Sequence, residues 1–370
     1  MLENISEGLL EIVVGSETYV FGASSIGCAY QARIIVKKEA FWTRLLLTQD
    51  LGFAEAYMFG DFECDDLPSV LRIIIINSEA TKIDSLASRM LSKTRTLTAM
   101  RFLADIATSQ ANASAHYDLG NVLFSNFLSE DMNYSSAIFR DFRGDLTGEH
   151  PRESLEDAQT RKMLTLIKKA NLSAEHRVLE IGSGWGALSI LAARTTGCSI
   201  ETLTLSVYQQ QLATQRIKEA GLSDKITVHL MDYRECMKIE AWKHSFDRFI
   251  SVEMIENVGR EFVPTFWAVA DWAMKPKTAV GVVQVITLAE SRIKEYDQGV
   301  DFIQKWGSEG RLTPDNVSNI GPHYARTLRE WKRKFLANFE LIIAPALQKE
   351  HMLCAEDILV FKRKWTFLWE

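Results

Sequence analysis

Three stretches in the second half of the sequence put chemistry-bearing side chains where an apolar run gives way to a helical pattern. In the first, VLEIGSGWG, Glu180 precedes Gly182, Gly184 and Gly186, with Ser183 and Trp185 between the glycines. A dinucleotide fingerprint spaces its glycines G-x-G-x-x-G so that a pyrophosphate rests on the helix N-terminus. Here the spacing is G-x-G-x-G, and no Gly-Lys-Ser/Thr follows to make a P-loop. Glycines at such a turn let a ligand approach the backbone, and the carboxylate of Glu180 suits a ligand that is cationic and carries no phosphate. S-adenosylmethionine (SAM), with its sulfonium and ammonium groups, is such a ligand, which puts Glu180, Gly182, Gly184, Trp185 and Gly186 in a cofactor site. A modified dinucleotide site and a purely structural turn are the alternatives.

The other two stretches carry hydrogen-bonding and acidic groups. Thr204-Leu205-Ser206 ends one apolar run with Gln209 a helical turn on, a place to bond a ribose, although Ser206 also has the chemistry of a helix N-cap. Met231-Asp232-Tyr233-Arg234 ends the next and offers a carboxylate for an adenine amino group and a ring for its base, with Asp232 as a helix cap the competing reading. In SVEMIENVG, Glu253 and Glu256 stand three apart, neighbours if the segment is helical. Paired glutamates usually face solvent, but these follow an apolar strand pattern.

The elements that must position these groups alternate from Leu155 onward. The helix LEDAQTRKMLTLIKKANL is followed by strand 177–181, helix 185–193, strand 199–205, helix 207–220 and strands 226–231 and 246–254; helix 262–274 then leads to strand 279–287. Alternation with short connections predicts an α/β fold, a mostly parallel doubly wound sheet with ligands at the carboxyl ends of its strands. Residues 1–105 mix strand-like LEIVVGSETYVFG and ARIIVKK with helical patterns and form a smaller N-terminal α+β domain; 106–370 form the second domain, entered through the polar linker Thr108 to Asn121.

With 370 residues, 47% of them hydrophobic, the chain can bury sizeable cores, and a net charge of -6 argues against nucleic acid as a partner. Five scattered cysteines without a C-x-x-C pair argue against a disulfide framework and a metal site, and fit the cytoplasm. The opening MLENISEGLLEIVVG has three acidic residues and no basic ones, unlike a secretory signal, and the run Ile73 to Ile76 is too short to cross a bilayer.

Taken together, HYDLGNVLFSNFL, MNYSSAIF, VLEIGSGWG, TLSVYQQ, DYR, FDRFISVEMIENVG and GPHYARTLREWKRKFLANF resemble, in order, the cyclopropane-fatty-acid synthase family. The resemblance implies a Rossmann-like class I methyltransferase in which an alkene carbon of an acyl chain takes the sulfonium methyl and a bound bicarbonate accepts the proton lost as the ring closes. Carried over by motif, Ser136, Glu256, Gln284, the backbone of Ile286, and Tyr324 would hold the bicarbonate. Tyr134, Ser135, Gly182, Gly184, Thr204, Leu205, Gln209, Asp232 and Tyr233 would hold SAM. Glu256 is expected to be buried and to face Tyr324.

Two positions depart from the family pattern: Ser136 stands where YSCAY has cysteine, and Gln284 where LLHTI has histidine. A neutral amide cannot offer an anion the charge of an imidazolium, so bicarbonate binding is expected to weaken. Only Asp315 to Ser318 separate GRLTP from NIGPHYARTL, where the family has a helix and a strand, so part of the sheet edge is expected to be missing or rebuilt.

The leading expectation is therefore a SAM-dependent C-methyltransferase acting on a double bond of a lipid or other apolar substrate. A small-molecule N-methyltransferase, resembling plant alkaloid enzymes with the SVEMxE segment, is one alternative. A protein that keeps the fold but no longer transfers methyl, as a cyclase or non-catalytic partner, is another. LANFELIIAPAL has the composition of an acyl tunnel and equally of an amphipathic core helix, while peripheral membrane contact and a homodimer through the isoleucine run remain open.

Overall fold

Alternation along the first strands decides the N-terminal architecture. The computed structural model describes residues 2–22, 30–48, 50–78, 120–148, 150–259, 262–287 and 315–370; the linker expectation falls almost wholly outside them. Strands β1 (Leu9–Val14), β2 (Glu17–Gly22), β3 (Gln31–Val36) and β4 (Phe62–Cys64) form a sheet in the order β2-β1-β3-β4. The pairing of β1 with β3 is parallel, and the other two pairings are antiparallel. Leu10 and Ile12 of β1 and Ala32 and Ile34 of β3 point the same way, as the period of two requires. They bury against α1 (Ala40–Thr48), α2 (Asp50–Met58) and α3 (Leu67–Ile76).

The chain divides into two compact units, Met1–Phe102 with Leu336–Glu370, and Leu103–Phe335. The sequence boundary at 105/106 put residues 336–370 with the second domain, but the C-terminal helix Ala355–Leu368 packs Phe367 against Phe53 and Tyr57 of the first. Stacking rings brought together across some 310 residues is a long-range choice that local pattern does not contain. In LANFELIIAPAL, Phe339, Ile343 and Leu347 are buried while Leu341 and Ile342 are exposed, the pattern of an amphipathic helix.

The second unit holds a parallel sheet of β5 (Arg177–Ile181), β6 (Ser199–Thr204), β7 (Ile226–Leu230), β8 (Arg248–Val252) and β9 (Val280–Gln284), in the order β7-β6-β5-β8-β9. The chain winds outward from β5 to β7 and then returns to β8 on the other side of β5. That reversal opens a crevice at the carboxyl ends of β5 and β8. Both faces are covered, as a parallel sheet demands. Val178, Ile200 and Ile250 pack on α5 (Leu155–Lys169), α6 (Ala187–Thr196) and α7 (Val207–Glu219), while Leu179, Ile181 and Phe249 pack on α8 (Val263–Ala273). A short helix α4 (Asn121–Ser125) precedes this layer, and α9 (Gly321–Asn338) follows it.

Local chemistry sets the boundaries. Ser154 caps α5 by accepting from Asp157 N, with Glu156 and Asp157 in the first turn and Lys168 and Lys169 in the last, as the helix dipole favours. The helix after the glycine turn starts at Ala187, not Trp185, because Gly186 sits at φ 84 as its N-cap. Strand β8 stops at Val252, two residues before the expected end, because Glu253 turns into the left-handed region at φ 47. The stretch 315–320 is irregular and is tied to α5 by Lys169 Nζ, which donates to Asn316 Oδ1 (2.6 Å) and Ser318 Oγ (2.9 Å). Among the described residues the sheet ends at β9.

Candidate active site

The glycine turn lies at the crevice with Gly182, Gly184 and Gly186 at φ 100, 49 and 84. Its start is fastened to β6, since the Leu203 carbonyl accepts from the N–H groups of Gly182 (3.1 Å) and Ser183 (2.7 Å). A Cβ on Gly182 would meet Met254 at 3.3 Å, and one on Gly186 would meet Ala213 at 3.2 Å. On Gly184 it would meet nothing within 4 Å. Backbone bare of side chain and bordering open space is what a ligand held by main-chain contact requires, and the residues present fit SAM at Gly184. At the end of β6, Thr204 Oγ1 donates to Gln209 Oε1 (2.7 Å), Ser206 caps α7 and Leu205 is half-buried.

Four residues placed in the cofactor site by sequence turn elsewhere. Glu180 shares its face with Val178, so alternation directs it into the α6 layer and away from the crevice. There Ser189 Oγ (2.5 Å) and Thr202 Oγ1 (2.6 Å) donate to its carboxylate, and burial pushes its pKa up to about 7. The Trp185 indole N–H donates to Asn121 Oδ1 (2.8 Å), and its buried ring packs on Phe124 at 5.1 Å. Asp232 caps the turn Tyr233–Lys238 and takes both Nε and Nη2 of Arg234 at 2.8 and 2.7 Å, so the cap reading holds. Tyr233 packs edge-on to Phe266 in the core, and burial lifts its phenol to about 12.

The irregular segment Met132–Phe139, joined to the glycine turn through Arg216, which donates to the Asp131 and Trp185 carbonyls, is mostly buried, so its backbone polar groups need partners. The N–H groups of Ser136, Ala137 and Phe139 donate to Glu253 Oε1 (2.9 Å), Thr327 Oγ1 (3.1 Å) and His323 Nδ1 (3.2 Å). Gln159 Nε2 donates to the Ser135 carbonyl (2.8 Å). Burial and then the Arg161 charge hold His323 below the usual histidine pKa, as an accepting Nδ1 requires.

Behind this segment lies Lys162, 1% exposed, whose ammonium donates to Ser135 Oγ (2.6 Å) and Asn133 Oδ1 (3.2 Å). Burial drives its pKa down to about 8 against the opposing pull of Glu253, Asp131 and Glu180. Glu253 also accepts from Gln284 Nε2 at 2.8 Å, and that amide's second contact is the Ser136 carbonyl at 3.3 Å. Burial raises the Glu253 pKa, while the Ser136 and Gln284 bonds and Lys162 hold it back. Glu256 is exposed, contrary to expectation, and its Oε1 accepts from the Ile286 N–H at 2.5 Å. The left-handed kink at Glu253 breaks the helical spacing that would have paired the two glutamates and sends only Glu253 inward. Tyr324 is raised to about 12 by burial and then by both carboxylates. Its ring meets Trp331, which also packs on Tyr134 at 5.2 Å, giving the site an aromatic wall.

The structure thus brings Ser136, Glu253 and Gln284 together, with Lys162 behind Ser135 and with Tyr324 close enough to feel both carboxylates. Sequence reasoning left out Lys162, Gln159, Asn133 and Thr327. Lys162 and Gln159 were visible, since they interrupt the apolar stripe Leu155, Ala158, Met163, Leu166, Ile167 of α5 at helical spacing.

Residues 105–313 match the family described as mycolic acid cyclopropane synthetase. The chain belongs to this family. It is 34% identical over 307 residues to the tuberculostearic acid methyltransferase UfaA1 of Mycobacterium tuberculosis, covering 77% of this chain and 68% of that protein. It is 32% identical over 323 residues to the cyclopropane-fatty-acyl-phospholipid synthase of Escherichia coli K12, covering 83% and 77%. The solved cyclopropane synthase MmaA2 of M. tuberculosis superposes with a TM-score of 0.54 at 22% identity, over 70% of this chain and 92% of that one. Coclaurine N-methyltransferase superposes at 0.61 and 15%, over 86% and 92%; both show a shared fold. This cyclopropane synthetase family member is a SAM-dependent methyltransferase, and SAM supplies it with an electrophilic methyl group. A bicarbonate does not fit its residues as they stand: of the donors assigned to it, the Ser136 and Gln284 N–H groups are bonded to Glu253 and the Ile286 N–H to Glu256, which leaves the Tyr324 hydroxyl against two carboxylates. Among the described residues no helix is long and apolar enough to cross a membrane, and no cluster of metal ligands is present.

Proposed function

We propose that this methyltransferase adds the SAM methyl to a double bond within an unsaturated acyl chain of a membrane lipid, giving a cyclopropane. The observation that carries this reading is that the bare Gly184 backbone, the rings of Tyr134 and Tyr324 backed by the buried Trp331, and the carboxylate of Glu253 lie on the segments that border the carboxyl ends of β5 and β8. Rings and a carboxylate stabilise a carbocation, and a half-buried carboxylate can take its proton. Gly182, Gly184, Thr204, Leu205 and Gln209 hold SAM, Tyr134 and Ser135 close its far side, and Ser136, Gln284 and Tyr324 surround the reacting carbons. The enzyme works in the cytoplasm against the membrane surface that presents its substrate.

The test is incubation with methyl-labelled SAM and vesicles of dioleoylphosphatidylglycerol, followed by mass spectrometry of the released fatty acids. Label in a fatty acid heavier by one CH₂ supports the reading. Label in an amine would favour the N-methyltransferase alternative, in which Glu253 and Glu256 hold an ammonium. SAM binding with no labelled product from lipid or metabolite extracts would favour the non-transferring one.

A further inference from the structure

The family resemblance implies a bicarbonate that accepts the proton, held by donors that include Ser136 and Gln284. Glu253 Oε1 sits 2.9 Å from the Ser136 N and 2.8 Å from Gln284 Nε2, two donors converging on one carboxylate oxygen. The third donor, the Ile286 N–H, is bonded to Glu256. A bicarbonate entering here would have to displace one carboxylate and lie against another. We propose that Glu253 is the built-in proton acceptor of this enzyme, its carboxylate occupying the donor pair that a bound anion would need. The inference rests on the alkene-methylating reading above.

Three further observations converge on Glu253. Its backbone lies at φ 47, a left-handed conformation that a glutamate rarely adopts and that the fold tolerates here at the strand end nearest the crevice. The Lys162 ammonium lies on the far side of the same segment, bonded to Ser135, and favours the ionised carboxylate. Burial opposes ionisation and so makes Glu253 more basic than an ordinary glutamate, as a proton acceptor should be. Made more basic by burial, with its two donors and then Lys162 favouring the charged form, it is placed to act without a soluble base.

The substrate alkene forms a carbon–carbon bond to the methyl as the carbon–sulfur bond breaks, leaving a carbocation and neutral S-adenosylhomocysteine (SAH). Glu253 takes one proton from that methyl carbon, the released C–H pair closes the third side of the ring, and the carboxylate becomes a carboxylic acid. Exposed Glu256, whose charge both Glu253 and Tyr324 feel, gives the proton a way to solvent.

The experiment compares wild type, Glu253→Gln and Glu253→Gly in carbonate-stripped buffer, with and without millimolar formate, acetate or bicarbonate. Glycine accepts φ 47 without strain and vacates the donor pair, whereas glutamine refills it with a group that cannot take a proton. Methyl transfer to dioleoylphosphatidylglycerol vesicles, SAH affinity by calorimetry and saturation-transfer NMR of [13C]bicarbonate are read together. The expected result is a wild-type rate indifferent to bicarbonate and a loss of about 100-fold or more in both variants at unchanged SAH affinity. Added anion should rescue Glu253→Gly alone, and bicarbonate should bind detectably to Glu253→Gly alone. Bicarbonate stimulation of, or bicarbonate binding to, the wild type would overturn the proposal. So would a Glu253→Gly protein that neither binds nor uses the anion, or that is active without it. If no chain methylates the lipid, the substrate reading fails, and the anion-binding comparison still decides whether Glu253 fills the site.

Discussion

Replacing Lys162 by methionine tests whether an ammonium really lies inside this protein. In the unfolded chain it would hold its proton up to its ordinary pKa of 10.5, whereas in the folded chain burial brings that down to about 8. At about 1.4 kcal/mol per tenfold change in proton affinity, the difference amounts to about 3 kcal/mol. Below pH 8 the lysine is charged in both states, and folding bears the whole of that cost. Between about 8 and 10.5 the unfolded state binds more protons, so stability rises with pH; above 10.5 the cost is gone. Lys162→Met removes this dependence and keeps much of the side-chain volume. The free energy of urea unfolding, followed by tryptophan fluorescence for both proteins from pH 7 to 10.5, should show the wild type gaining about 3 kcal/mol on the variant across that range. Taking the difference cancels every other group that titrates alike in the two chains. A difference constant to within about 0.5 kcal/mol, the scatter of independent effects, would mean that the ammonium reaches water and that its support of Glu253 is illusory.

Other perturbations have equally definite outcomes. Gly184→Val should leave the fold intact apart from a backbone cost of about 1 to 2 kcal/mol at φ 49, since its side chain enters open space, yet abolish SAH binding in calorimetry; retained affinity would remove the glycine turn from the cofactor site. Glu180 has its folded pKa raised to about 7, so its contribution is present below pH 4.5 and is lost as pH rises toward 7. Glu180→Gln should therefore gain stability relative to wild type over that interval, and a variant that instead loses ground to wild type would contradict the buried placement. Gln284→His alone should leave methylation indifferent to bicarbonate, because Glu253 keeps the Ser136 N–H; the pair Gln284→His, Glu253→Gly should require the anion.

What could be read ahead of the structure was what neighbouring residues decide among themselves. The glycine turn, the caps at Ser206 and Asp232 and the strand Arg177–Ile181 are local, and they lie where spacing put them. Glu180 was legible in principle, since Val178 two residues earlier already faces the helix layer. The active cluster was harder, because its bonds join residues 117 and 31 positions apart and no periodicity relates Ser136 or Gln284 to Glu253. The choice between Glu253 and Glu256 hung on one dihedral. Helical spacing made them equivalent, and a single left-handed residue turned one inward and left the other exposed.

That dihedral also bears on how such an enzyme could change. A position at φ 47 is one where glycine sits at ease, and glutamate and glycine codons differ by a single base. One nucleotide substitution would thus exchange an internal acid–base group for a vacancy shaped to admit a small dissolved anion. Lipid modification that runs regardless of inorganic carbon would become modification that follows its supply, with the sheet, the glycine turn and the aromatic wall untouched. The kink at the end of β8 is in this sense a hinge in sequence space, joining two ways for one fold to dispose of a proton.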